Sequence, residues 1–273
     1  MSFRSTSMTL RPTSPAPVFL KPPHEAQQWR SVRSDRTQHD QTLHAAHASG
    51  VRARLLPITS PYVVLPAYWT REKTAAACEQ VLRAMSLVCS DKGEGGDNRS
   101  MGVSTLVQGR REYNLITAFQ TDERLLQMAA AHLHTGPHAV KVSTLAGSTA
   151  VGQASGGGWH KDSLQRGVKA LIYLDDVLDV GVGPFAMLLN YSDTTLRYDP
   201  RDYKHRRTRF TDEAVRSQVA RGAQVSPVLG VGGTVVLFET SSVHRGMPAL
   251  SRGRVSLTNY YQNSLRVCGA RTR

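Results

Sequence analysis

The spacing of apolar residues along the chain predicts three helices. Two segments repeat their apolar positions with a helical period, and each follows a residue that can accept hydrogen bonds from a helix N-terminus. The first begins after Thr70, and the second begins at the capping segment Thr121-Asp122-Glu123 and ends before Gly136-Pro137. A third, shorter helix begins at Thr211 and ends near Gly222.

Short apolar runs bounded by glycine, proline and polar residues predict strands, mostly in the second half of the chain. These runs cover residues 113 to 119, 140 to 145, 169 to 174, 184 to 189, 234 to 238 and 256 to 261. Residues 91 to 100 are rich in glycine and asparagine and predict a loop. The combination predicts a mainly β fold with flanking helices.

The two ends of the chain have the composition of unstructured tails. Residues 1–60 combine Ser, Thr, Pro, Arg and His without a sustained apolar period, so ordering them would bury too little surface. We therefore expect a disordered basic tail over 1–60, one folded β domain over 61–266 and a short basic tail over 267–273. Residues 1–24 contain no acid, and their composition leaves organellar targeting open as an alternative to a cytoplasmic location.

The formal net charge of +13 favours contact with anions but does not identify one. The basic run KHRRTR at 204–209 could hold an anionic substrate or could simply be a solvated loop. A nucleic-acid site is not expected, because no recognisable reader module accompanies the charge. A small-molecule substrate is the preferred partner.

The cysteine content predicts an intracellular, reducing compartment. Its three cysteines are widely separated and contain no C-x-x-C pair, which argues against a disulfide framework. No run of eighteen apolar residues is present, so no membrane span is expected.

Candidate metal ligands occur at His160, Asp162 and His244. In an extended strand, residues two apart project to the same face, so His160 and Asp162 share one side. His244 follows a strand-like run within a few residues and is the candidate third ligand. Two histidines and one carboxylate can occupy one face of an octahedral metal and leave open positions, as in non-haem Fe(II) oxygenases.

A candidate anion clamp follows ten residues later at Arg254 and Ser256. Alternation along a strand would place the guanidinium and the hydroxyl on one side. A planar fork of donors suits a carboxylate, so this pair predicts a site for a dicarboxylate cosubstrate.

Together these residues resemble the H-x-D … H … R-x-S pattern of Fe(II)/2-oxoglutarate oxygenases. Further segments follow the order seen in the phytanoyl-CoA dioxygenase family: GWHKD at 158–162, KALIYLDDV at 169–177, GPF at 183–185, and VLF at 236–238 before HRG at 244–246. The resemblance covers about residues 138 to 262. It departs from the family at MLLNYS, residues 187–192, where many relatives have Pro-Gly-Ser-His.

This resemblance implies a double-stranded β-helix, that is, a jelly-roll or cupin-like core. It implies that His160, Asp162 and His244 bind Fe(II), and that Arg254 with Ser256 holds 2-oxoglutarate. The implied reaction uses O2 to hydroxylate a small organic or lipid-like substrate and releases succinate and CO2, with desaturation or cyclisation by the same residues left open. Two other readings also stay open: a cupin-like pseudoenzyme that binds metal without turnover, and a nucleic-acid-binding protein that acts through its basic tail.

Overall fold

The protein is represented by a computed structural model that describes residues 61–89, 98–103, 107, 109–164, 166–200 and 208–264. The expectations for the two tails, and for residues 204–207 of the basic run, lie outside the described residues. No helix among the described residues is long and apolar enough to cross a membrane.

The described residues form two antiparallel sheets. The six-stranded sheet has the order β1-β9-β5-β11-β3-β2, and the five-stranded sheet has the order β7-β4-β10-β6-β8. The strands are β1 (Tyr62–Leu65), β2 (Asn98–Gly102), β3 (Val140–Thr149), β4 (Trp159–His160), β5 (Val168–Tyr173), β6 (Phe185–Leu189), β7 (Arg209–Phe210), β8 (Gln224–Val228), β9 (Val235–Glu239), β10 (His244–Gly246) and β11 (Arg254–Asn263).

The chain passes repeatedly between these sheets. Strands β3, β5, β9 and β11 lie in the larger sheet, and strands β4, β6, β8 and β10 lie in the smaller one. This is the jelly-roll arrangement of a double-stranded β-helix, in which two sheets face one another around a common interior. The expected mainly β fold with a double-stranded β-helix core is confirmed.

Strand β5 shows how sequence alternation builds the two sides of the larger sheet. Val168, Ala170 and Ile172 pack into the core that the helices cover. Leu171 and Tyr173 point the other way and pack between the sheets with residues such as Phe185. Both faces of β5 are buried, which explains why this segment is nearly continuous in apolar residues.

Within the described ranges, the sheets are accompanied by the helices α1 (Arg71–Cys89), α2 (Asn114–Gln120), α3 (Glu123–His132) and α4 (Asp212–Val219). The side chain of Asp122 caps α3 by accepting a hydrogen bond from the backbone of Leu125. Thr211 caps α4 by accepting one from Ala214. These caps confirm the predicted starts of the second and third helices. Shorter 3-10 turns span Arg111–Tyr113, Pro137–Ala139, Ser155–Gly157 and Val180–Val182.

The strand predicted over residues 113 to 119 is wrong, because the segment forms a 3-10 turn followed by α2. Its buried residues are Tyr113, Ile116 and Phe119, which lie three apart and therefore share one face of a helix. The loop predicted over 91 to 100 is also wrong from residue 98 onward, where β2 begins. Strand β8 was not predicted; among the described strands it pairs with β6 alone, and it contains Pro227, which an edge strand tolerates.

Candidate active site

A glycine-rich turn delivers His160 to the interior between the sheets. Gly156, Gly157 and Gly158 have φ values of 78°, 70° and 94°, in the left-handed region that favours glycine. A Cβ at Gly156 would lie 2.6 Å from Cε1 of His160, so the turn also needs glycine for close approach.

The structure brings His160, Asp162 and His244 together. His160 of β4 and His244 of β10 are direct partners across the two strands, and their ring centroids are 4.4 Å apart. Asp162, two residues after His160, has Oδ1 at 3.5 Å from Nε2 of His160 and Oδ2 at 3.0 Å from Nε2 of His244. One potential ligand atom from each side chain lies within 4.8 Å of the others.

Backbone carbonyls fix the orientation of both imidazoles. Nδ1 of His160 lies 2.8 Å from the carbonyl oxygen of Gly158, and Nδ1 of His244 lies 2.8 Å from that of Ser242. A carbonyl only accepts, so each Nδ1 carries the proton and donates it. Each Nε2 is therefore left with a lone pair that points at Asp162, which is the tautomer that a metal requires.

Burial and charge set the protonation states of the group. Burial lowers the pKa of His244 to about 4, which keeps this imidazole neutral at ordinary pH. Burial by itself raises the pKa of Asp162, but the ammonium of Lys169, 2.6 Å from Oδ2, favours the ionised carboxylate and holds that pKa below its usual range. A neutral imidazole and an ionised carboxylate are both in the form that ligates a cation.

Arg254, at the start of β11, lies buried with only 3% of its surface exposed. Its Nε donates to the carbonyl of Gly183 at 2.5 Å, and its Nη2 donates to Oγ of Ser155 at 2.7 Å. Burial also lowers the pKa of this guanidinium, which nevertheless stays charged at neutral pH because arginine starts far above it. Ser256, two residues on, is also buried and lines the same cavity.

Gly246 gives Arg254 the space that it occupies. A Cβ at Gly246 would collide with Oγ of Ser155 and come within 2.8 Å of Nη2 of Arg254. Gly246 lies two residues after His244 on β10, on the same side of the strand. The strand that carries a candidate metal ligand thus also leaves room for the guanidinium.

A cavity of about 810 Å³ connects these groups. It lies between the sheets and is lined by both histidines, Asp162, Arg254 and Ser256. Phe185 and Phe238 pack against the His244 ring, with centroids 5.5 and 4.9 Å from its own. The cavity has the size of a small-molecule site and an apolar wall beside the candidate ligands.

Two buried polar atoms in this region have no hydrogen-bond partner among the described residues: Nε2 of His244 and Nη1 of Arg254. Oδ2 of Asp162 lies 3.0 Å from this Nε2, but both atoms are acceptors, and the ion-pair partner of Oδ2 is the ammonium of Lys169 at 2.6 Å. Buried polar atoms are normally satisfied, so the two orphans indicate a missing ligand. A cation beside Nε2 of His244 and an anion beside Nη1 of Arg254 would satisfy both, so the residues present fit a metal and a carboxylate.

Sequence reasoning missed Lys169, Ser155 and Gly183. The ammonium of Lys169 lies 2.6 Å from Oδ2 of Asp162, and the side chain is 7% exposed. The signal for Lys169 was a single charged residue inside an otherwise apolar strand. Ser155 and Gly183 could not be found in this way, because their contacts with Arg254 depend on how distant segments meet.

Solved structures with the same fold include a prolyl hydroxylase and an epimerase. A prolyl hydroxylase from Trichoplax adhaerens, in complex with a hypoxia-inducible-factor peptide, is 12% identical with a TM-score of 0.52, covering 78% of this chain and 89% of its own. AviO1 from Streptomyces viridochromogenes is 16% identical with a TM-score of 0.51, covering 74% and 89%. The non-haem alpha-ketoglutarate-dependent epimerase SnoN of nogalamycin biosynthesis is 14% identical with a TM-score of 0.51, covering 74% and 78%.

At such low identity this likeness shows the fold, a double-stranded β-helix, and nothing finer. No protein-family model matches the chain, and no curated protein matches it either. The resemblance to the phytanoyl-CoA dioxygenase family therefore stays a prediction.

Proposed function

We propose that this chain is an Fe(II)- and 2-oxoglutarate-dependent dioxygenase that acts on a small organic substrate. The observation that carries the proposal is the convergence of His160, Asp162 and His244, with both Nε2 atoms and a carboxylate turned toward one point. Two histidines and one carboxylate on one face of a metal leave positions for a cosubstrate and O2. The neighbour SnoN, which has the same fold, is described as non-haem and alpha-ketoglutarate dependent, which agrees with this class.

In this proposal His160, Asp162 and His244 hold Fe(II), and Arg254 with Ser256 holds the remote carboxylate of 2-oxoglutarate. When bound, the metal and its cosubstrate would supply the activation of O2 that oxidises a substrate carbon and leaves succinate and CO2. Gly158 and Ser242 contribute their carbonyls, which lock the imidazole tautomers. Phe185 and Phe238 exclude water from the side of His244, where an oxidising site needs protection from solvent.

Arg254 favours an enzyme over a protein that only binds metal. Its guanidinium is buried and anchored through Nε and Nη2, while Nη1 lacks a partner within the described part of the chain. Keeping an arginine buried is costly unless an anion pairs with it. A carboxylate cosubstrate supplies that anion, which favours turnover over simple metal binding.

Hydroxylation is the expected outcome. Related halogenases bind a halide on the metal where a small residue replaces the acidic ligand. Here Asp162 occupies that position, so halogenation is not expected. Within the class, the motifs around residues 158–162 and 244–246 favour a phytanoyl-CoA dioxygenase-like enzyme. The cavity of about 810 Å³ would accommodate a small organic or lipid-like substrate.

The test is succinate formation from 2-oxoglutarate in air, with and without added Fe(II). We expect iron-dependent succinate release that His160→Ala and Asp162→Ala abolish, because each removes one of three ligands. His138→Ala is the matched control, since His138 is exposed on a 3-10 turn. Undiminished turnover in either ligand variant would contradict the metal assignment, and metal binding without any succinate would favour the cupin-like binding protein.

A further inference from the structure

Lys169 occupies an unusual place for a lysine. It lies on β5, where alternation turns it away from the helix-covered core and into the cavity between the sheets. Only 6% of the residue is exposed to solvent. A buried ammonium is retained at a cost, so its surroundings indicate what it serves.

The surroundings of Lys169 hold its ammonium in one position. Nζ lies 4.2 Å from the ring centroid of Tyr260 and 5.7 Å from that of Phe238, so two aromatic faces contact it. Its anionic partner among the described residues is Asp162, with Oδ2 at 2.6 Å. The ammonium thus shares its carboxylate with the proposed metal.

Formal charges in the proposed site do not balance without a further anion. A divalent metal, Lys169 and Arg254 together carry four positive charges, whereas Asp162 and 2-oxoglutarate together carry three negative charges. A single positive charge therefore remains in a buried cavity. This unmatched positive charge lies on Lys169. The charge of Arg254 would be matched by the carboxylate of the cosubstrate. A bound metal would take up the negative charge of Asp162, which then no longer matches the ammonium.

Among the described residues, two further cations line the cavity, but neither changes this balance. The ammonium of Lys161 is matched by Asp193 at 2.7 Å. Arg209 is partly exposed to solvent and donates to the carbonyls of Gly156 and Gly157. Water screens the charge of Arg209 in that position, whereas the buried charge of Lys169 is screened far less.

We propose that Lys169 binds a carboxylate of the substrate, and that the substrate is therefore a carboxylic acid. This inference rests on the proposed function, since it takes the metal and 2-oxoglutarate as bound. A carboxylate carries one negative charge and balances the surplus, whereas a phosphate monoester carries nearly two. The carbon that is oxidised would lie close to the carboxylate, because Lys169 contacts a candidate metal ligand directly.

The test uses acetate as the probe and protein loaded anaerobically with Co(II) and saturating 2-oxoglutarate. Visible absorption of Co(II) reports an anion that enters its surroundings, so no turnover is needed. We expect a saturable change with the natural chain and with Lys169→Arg. We expect acetate binding to be weaker by about tenfold or more in Lys169→Met, because a hydrogen bond to a charged group is lost. Lys141→Met, which removes an exposed strand lysine, should match the natural chain.

Several results would overturn the inference. Equal acetate affinity in Lys169→Met would mean that acetate binds the metal instead. Weaker 2-oxoglutarate binding in that variant would make Lys169 a cosubstrate residue, and loss of Co(II) from both Lys169→Met and Lys169→Gln would make it a support for the ligands. Tighter binding of inorganic phosphate than of acetate, dependent on Lys169, would replace the carboxylate by a phosphate.

Failure of the proposed function would look different. In that case the natural chain would bind neither Co(II) nor 2-oxoglutarate, and this would be seen before any acetate is added. If both bind but acetate does not, the proposed function survives and the carboxylic acid substrate does not.

Discussion

Replacing Arg254 by methionine should weaken 2-oxoglutarate binding without disturbing the metal. Methionine keeps much of the apolar stem and removes the guanidinium. In the structure Nε and Nη2 are taken by Gly183 and Ser155, so Nη1 is the donor that remains for a ligand. The side chain is 3% exposed, so the pair that it forms with a carboxylate would be shielded from water.

The size of the effect follows from that burial. Truncating one partner of a buried, hydrogen-bonded charge pair costs about 2 to 5 kcal/mol. Since about 1.4 kcal/mol corresponds to a factor of ten, the dissociation constant for 2-oxoglutarate should rise by roughly 30-fold to several thousand-fold. The carbonyl of Gly183 also loses its donor, but that loss affects folding stability and not the ligand.

The assay is calorimetric titration of 2-oxoglutarate into Mn(II)-loaded protein without oxygen, together with urea unfolding of each variant. Arg252→Met is the matched control, because Arg252 lies two residues away and is half exposed in an ion pair with Asp175. We expect this control to bind 2-oxoglutarate as the natural chain does. If Arg254→Met keeps its affinity to within about threefold, a difference of less than 1 kcal/mol, the clamp assignment is refuted.

Two further predictions concern stability. The unfolded chain should protonate His244 near pH 6.5, whereas the folded, metal-free protein keeps it neutral until its pKa of about 4, so stability should fall as the pH drops between these values. Melting temperatures at pH 7 and pH 5 should show a smaller drop for His244→Gln, and an equal drop would contradict the lowered pKa. Asn259 is fully buried, accepts from Thr144 and donates to the carbonyl of Phe119, so Asn259→Ala should cost about 1 to 3 kcal/mol in urea unfolding. Thr258→Ala on the same strand is its control, and equal losses in both would contradict the role of the buried amide.

Local patterns in the sequence were sufficient for much of the fold. The interior strands β5 and β9 are short, nearly continuous apolar runs, and the starts of α3 and α4 carry capping residues that the structure uses. The segment that forms α2 was misjudged because it mixes β-branched and aromatic residues, and only its spacing of three shows a helix. Strand β8 carries a proline, which obscures a strand unless the sheet edge is known.

The sequence predicts the part of the candidate site in which two residues of one strand share a face. It does not predict the part in which distant segments come together. His160 and Asp162 lie two apart, so a shared face followed from alternation alone. That His244 lies directly opposite His160 depends on the register of β4 and β10, which no local pattern reveals. Lys169 was not identified as a site residue, because the apolar run around it predicts only a buried strand. Nothing in that run indicates that the carboxylate of Asp162 lies beside it.

The most direct test of the proposed centre is an anaerobic titration of the natural chain with Fe(II), followed by 2-oxoglutarate. We expect one Fe(II) per chain, and visible charge-transfer absorption that develops only when the 2-oxo acid is added. A chain that binds no Fe(II), or that binds it without any spectral response to 2-oxoglutarate, would contradict a centre built from His160, Asp162 and His244 beside Arg254.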